Sequence, residues 1–151
     1  MKRLAAFLGV IALLVVAPAA NATVTSIISS IEATGEVPGT LEVAIDIRPN
    51  SLNSYTKGEY VTCYVTPSEG YKAQDIEVST VHLEGLLALP DYSGIIDHDL
   101  DGINELMVKF DRGALLALFD GFTGNIDLTL TGCYTDGVTF FGIDSVHFVS
   151  H

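Results

Sequence analysis

The stretch Asp97-His98-Asp99-Leu100-Asp101-Gly102-Ile103-Asn104-Glu105 places carboxylates at its positions 1, 3, 5 and 9 and a glycine at position 6. Oxygen donors on alternate residues around a glycine turn suit a hard cation. Calcium takes about six to eight oxygen ligands, and a tight loop supplies them from side chains and one backbone carbonyl. Glycine permits the sharp bend that a side chain obstructs. Asp97, Asp99, Asp101 and Glu105 are the candidate carboxylate ligands and Ile103 the candidate carbonyl ligand, with water to complete the shell. The loop is not an EF-hand, which closes with a bidentate glutamate at position 12; that position here is Val108.

The plain alternative is an acidic turn without metal. It leaves four carboxylates repelling one another within nine residues, a repulsion that a cation offsets. Magnesium demands a stricter, water-rich octahedral shell. Zinc prefers nitrogen and sulfur donors, and the nearest, His98, occupies an even position that should point away from the ion. Calcium is therefore the expected cofactor. Catalytic constellations are missing. The chain has no G-x-S-x-G elbow, no H-E-x-x-H pair and no phosphate-cradling glycine loop. Its remaining acids are more simply solvated, and no enzyme activity is expected.

The elements that must position this loop read mostly as strands. Leu41, Val43, Ile45 and Ile47 alternate with polar or small residues until Pro49 and Asn50. Residues 59–65 and the short run 80–84 are further strands, with a turn at 66–70 and a loop over 86–92. The metal loop leads directly into Leu106-Met107-Val108-Lys109-Phe110, whose alternation predicts a strand. Residues 111–120 predict the one helix, with Asp111 as N-cap and Gly121 at the end. Strands at 126–130, 133–134 with 138–141 across the Asp136-Gly137 turn, and 143–149 complete about seven. This spacing predicts a mainly β fold, an immunoglobulin-like β-sandwich with one short helix.

The N-terminus carries Lys2 and Arg3, an apolar run from Leu4 to Val16, and Ala20-Asn21-Ala22. Charged start, apolar middle and small-residue exit predict a secretory signal peptide over 1–22. Residues 23–40 then form a leader or donor-type segment, and 41–151 a single domain, placed outside the cell or at its surface. Loss of Lys2 and Arg3 takes the net charge from −12 to −14. Nucleic acid and anionic membrane surfaces need clustered cations and are poor partners. No membrane insertion is expected after cleavage. Cys63 and Cys133 would sit in an oxidising compartment, where a disulfide between them is expected. A bond between them would close a loop of about 70 residues, worth roughly 4 kcal/mol in the chain-entropy model. Against it, Cys133 falls off the apolar parity of Ile126, Leu128 and Leu130. A bulge at Gly132 would restore the phase.

Ile45-Asp46-Ile47-Arg48-Pro49, the run from Asp75 to Leu83, the loop 97–105 with Leu106 to Arg112, and Gly142-Ile143-Asp144-Ser145-Val146 resemble a family of domains from secreted and surface proteins of archaea and bacteria. The loop followed by L-M-V-K-F-D-R is the most specific part. The resemblance implies a small immunoglobulin-like β domain without catalytic residues. It lends no support to the two cysteines. Three functional readings follow. The first is a secreted, calcium-stabilised structural or adhesion module, with other extracellular proteins or itself as partner. The second is a filament or surface-layer subunit that inserts residues 23–40 as a donor strand. The third is a carbohydrate-binding module, which the lack of tryptophan and of an evident tyrosine platform disfavours.

Overall fold

Strand-forming sequence dominates the computed structural model, which describes residues 39–150. The expected signal peptide, residues 1–22, and nearly all of the expected leader, residues 23–40, lie outside the described residues, as does His151. The elements are β1 (Leu41–Glu42), β2 (Ala44–Arg48), β3 (Ser51–Asn53), β4 (Tyr60–Thr66), a 3-10 turn (Ala73–Asp75), β5 (Ile76–Leu83), β6 (Leu86–Leu87), β7 (Gly94–Ile96), β8 (Glu105–Asp111), α1 (Arg112–Leu118), β9 (Gly124–Tyr134) and β10 (Thr139–Val149). Two sheets make a β-sandwich. In the first sheet β10, β9, β5 and β6 lie side by side, and β1 and β3 both run parallel to β10 on its outer edge. The second sheet has the order β2–β4–β8–β7.

Alternation sets the core. In β4, Val61, Cys63 and Val65 are buried while Tyr60, Thr62, Tyr64 and Thr66 face outward. Leu106, Val108 and Phe110 of β8 meet Leu128, Leu130 and Tyr134 of β9 in one buried cluster with Phe140 and Phe148. The helix forms where expected, two residues shorter at its end. The Asp111 carboxylate accepts the Ala114 N–H at 2.8 Å, an N-cap bond to an otherwise orphaned donor.

The strand count exceeds the expected seven, and two expected interruptions vanish. Residues 126–130 and 133–134 are one continuous strand, and so are 139–141 and 143–149. Gly132 and Gly142 do not break these strands. They make room, because a Cβ on Gly132 would come 2.6 Å from the Phe140 ring, and one on Gly142 would come 2.8 Å from the Val43 carbonyl. Here glycine marks a close approach within a strand.

The expected Cys63–Cys133 disulfide is not formed; both residues are free thiols. Cys63 points into the core from the second sheet, whereas Cys133 is a half-buried residue of the first sheet on the face opposite Leu128, Leu130 and Tyr134. A bulge does adjoin Gly132, but the extra residues belong to β5. Thr131 pairs with His82 and Cys133 with Glu77, while β9 keeps an unbroken register with β10. The phase of β9 is therefore never reset. Thr80 fills the bulge: its hydroxyl accepts the Cys133 N–H at 2.8 Å and donates to the Glu77 carbonyl at 2.7 Å. Burial, aided by the charges of Asp144 and Asp46, pushes the Cys63 thiol well above its ordinary range. Since the thiolate is the reactive form, alkylation of native protein should label Cys133 and spare Cys63 until urea is added. Mass spectrometry of the labelled peptides checks this, and rapid double labelling in the folded state would contradict it.

The Asp136-Gly137 turn joins β9 and β10 as expected. Asp136 accepts the Val138 N–H at 3.0 Å and the Tyr71 hydroxyl at 2.7 Å, and the Tyr71 ring stacks on Tyr134 at 3.8 Å. The Val138 N–H first, and Tyr71 second, hold this carboxyl below its usual range. A depressed folded value means its stabilisation is present above the ordinary carboxylate range and is lost as pH falls through the folded value. Tyr71→Phe should therefore cost stability near neutral pH and lose part of that cost in acid. Urea midpoints at about pH 7 and about pH 3 test this; an equal shift at both would contradict it.

Candidate metal centre

The candidate ligands sit at one end of the second sheet, in the connection between an edge strand and a central one. β7 pairs with β8 through Gly94–Met107, Ile95–Leu106 and Ile96–Glu105. The chain therefore leaves the sheet after Ile96, makes the loop and re-enters at Glu105. Both ends are fixed by strand hydrogen bonds, so the loop is a closed hairpin turn with no free end.

Within it the backbone aims the acids. Asp97 accepts N–H groups from Asp101 at 3.1 Å and Gly102 at 3.0 Å, one on each oxygen. Asp99 accepts from Asp101 at 3.2 Å, Asp101 from Ile103 at 2.8 Å, and Glu105 from His98 at 3.0 Å. Ionised carboxylates carry about four acceptor positions each, so these bonds orient the groups and leave oxygen capacity over. Leu100 at φ +62° and Gly102 at φ +90° supply the two left-handed residues that curl the chain. A Cβ on Gly102 would touch nothing within 4 Å, so the demand for glycine there is conformational and not steric.

The result is convergence. One ligand atom from each of Asp97, Asp99, Asp101 and Glu105 lies within 4.8 Å of the others, a group that could hold a metal ion. All four expected carboxylates are brought together. Ile103 lies in the same turn, its amide bonded to Asp101 and its side chain half exposed. Glu105 is only 3% exposed, and among the described residues no Lys or Arg forms an ion pair with any of the four acids. Partial desolvation in the loop, with the charges of Asp101 and Glu105, raises the Asp99 carboxyl above its usual value, against a lowering by the Asp101 N–H. A buried carboxylate needs a compensating charge, and three more acids supply the opposite of one. The donor set is all oxygen, which fits a hard cation.

His98 is not part of this group. Its ring lies flat on Tyr64, with centroids 3.7 Å apart and planes 5° from parallel, and its Nε2 is 3.4 Å from the Asp46 carboxylate. Asp46 also bonds the Arg48 guanidinium at 2.9 Å. Sequence reasoning missed this arrangement. Its only signal is register: Asp46 and Tyr64 pair directly on neighbouring strands, and they share the outward parity. The stack ties the loop to the outer face of the sheet.

The other rings outside the core largely cover one another, with Tyr60 at 4.8 Å from Tyr92 and the Lys109 ammonium 5.3 Å over the Tyr60 ring. Compared with protein-family models, with curated proteins and with solved structures, the chain matches none.

Proposed function

We propose that this chain is a secreted calcium-binding β-sandwich that serves as a structural or adhesion module at or outside the cell surface. One observation carries the metal part: four carboxylates converge within 4.8 Å, and the one at the sheet end is buried without a cationic side chain beside it. Calcium answers that arrangement better than magnesium, because an irregular oxygen-rich turn suits a large flexible shell. Asp97, Asp99, Asp101 and Glu105 would ligate through carboxylates and Ile103 through its carbonyl. Bound there, calcium supplies positive charge and fixes the hairpin; it takes part in no reaction. The exit from the cell is supported by the N-terminal residues, a charged start, an apolar run and a small-residue exit. The module reading is supported by the resemblance of the loop and the following strand to secreted domains.

Thermal melting tests the metal part. A ligand that binds only the folded state at about 100 times its Kd adds roughly 2.7 kcal/mol, which for a domain of this size raises Tm by on the order of 10 °C. EDTA should reverse the rise, and equal magnesium should produce much less of it. A melting curve indifferent to millimolar calcium and to EDTA would remove calcium from the account.

A further inference from the structure

Six of the ten most exposed large apolar side chains among the described residues fall between residues 87 and 103: Leu87, Tyr92, Ile95, Ile96, Leu100 and Ile103. They are not scattered over the molecule. The chain between residues 86 and 96 runs from the edge of the first sheet, β6, to the edge of the second, β7. Both edge strands are very short, and among the described residues β7 pairs only with β8. This side of the sandwich therefore combines unpaired strand backbone with exposed aliphatic side chains. Leu100 is its extreme point, 85% exposed and held at φ +62°. Its backbone serves the turn of the loop, but an apolar side chain held in water at the loop tip is poorly explained by folding alone. An apolar patch of this kind on a soluble domain marks a contact surface.

Charge selects the occupant. From Glu84 to Glu105 the chain carries six acids, and no Lys or Arg. A second copy would bring the same acidic edge against this one. The chain's own residues 23–38 contain two glutamates and no basic residue, so they are equally mismatched. On the opposite side β10 is already flanked by β1 and β3, and on the second sheet's far edge, β2, the Ile47 N–H is taken by the Asp144 carboxylate at 2.8 Å. We propose that the β6–β7 side docks an extended, apolar segment of another protein that carries Lys or Arg, by strand addition to β7 beside the metal loop. Main-chain hydrogen bonds to the free edge give the affinity, alternate apolar side chains meet Ile95 and Leu87, and the basic residues meet the acids. This rests on the adhesion reading given above. It does not require calcium, because two calcium charges still leave the stretch acidic.

A synthetic peptide alternating valine and lysine is the probe, titrated against the protein at physiological salt by fluorescence anisotropy, with calcium and with EDTA. Two control peptides have glutamate in place of lysine, or proline at alternate valines with the lysines kept. Binding should weaken by about tenfold or more in each control, because one removes charge complementarity and the other the backbone donors. Amide exchange over residues 93–97 should slow only with the valine–lysine peptide. Ile95→Lys, at a half-exposed position that folding tolerates, should weaken binding by about tenfold. Equal binding of the proline control would reduce the effect to bulk electrostatics and overturn strand addition. Tighter binding of a synthetic 23–38 peptide, or a concentration-dependent dimer abolished by Ile95→Lys, would overturn the choice of partner. A failed calcium melt with intact peptide binding removes the metal reading alone, and the converse removes this one alone.

Discussion

Replacing Arg112 by methionine should destabilise the domain by about 3 kcal/mol. Arginine ordinarily keeps its head in water, yet Arg112 is 6% exposed. Its guanidinium donates to the Thr56 carbonyl at 2.6 Å, to the Asn53 carbonyl at 2.7 Å and to the Thr56 hydroxyl. The stem passes 3.6 Å from where a Gly58 Cβ would stand. One planar fork thus satisfies three acceptors in the connection between β3 and β4. Methionine fills much of the stem's volume and supplies no donor. Each orphaned acceptor then costs roughly 1 to 3 kcal/mol, partly relieved by water entering. Arg112→Lys should recover only part of the loss, since an ammonium cannot reproduce the fork geometry. Urea unfolding measures both variants, and proteolysis should cut the 53–58 connection faster in each. A methionine variant within about 0.5 kcal/mol of the parent would contradict this role.

Gly142→Ala is the second large effect, expected at about 3 kcal/mol. Gly142 lies in the middle of β10, paired with Leu130. Its inner side is where the chain crosses from β1 in one sheet to β2 in the other. An added Cβ would stand 2.8 Å from the Val43 carbonyl and 2.7 Å from an Ile45 methyl. The methyl can rotate away. The carbonyl cannot, because the Val43 N–H is bonded to the Phe141 carbonyl at 2.8 Å, and four residues on the Ile47 N–H is bonded to the Asp144 carboxylate at 2.8 Å. The crossing is pinned on both sides, so the strand pair must separate to admit the methyl group. Elsewhere Gly→Ala stabilises by removing unfolded-state freedom; here overpacking outweighs that gain. A stabilised or neutral variant by urea unfolding would show that the crossing is looser than described.

These two residues also show what was legible in the sequence. Strands with several alternating residues stood out, as did the capped helix and the turn at Asp136-Gly137, because local periodicity and turn chemistry encode them. The four acids of the loop were legible for the same reason: their spacing alone curls them together. β3, β6 and β7 were not, since two or three residues carry no period; they are strands only because a partner lies beside them. The run from Leu41 to Ile47 was legible as strand, but its crossing from one sheet to the other at Val43 was not. Gly132 and Gly142 read as breakers in isolation, and only the Phe140 ring and the Val43 carbonyl reveal them as fitted positions. Arg112 carries no signal at all, because its acceptors, two carbonyls and the Thr56 hydroxyl, lie far away in the chain. The cysteine pairing failed on a different point. The residues that absorb the bulge lie in β5, so the outward parity of Cys133, visible in the sequence, was the better guide than the oxidising compartment.

Strand and loop are one unit in this account. The residues after the loop bury Leu106, Val108 and Phe110 in the core, cap the helix with Asp111 and clamp the β3–β4 connection with Arg112. A cation that fixes Glu105 at the head of β8 would hold the start of that whole run. Isothermal calorimetry of calcium binding to the parent and to Asp99→Asn and Asp101→Asn measures this most directly. One calcium per chain is expected, with magnesium binding much weaker and affinity reduced by about tenfold or more in each variant as a ligand charge is lost. Absence of saturable calcium binding to the parent, or variants that bind as tightly as the parent, would contradict the metal centre.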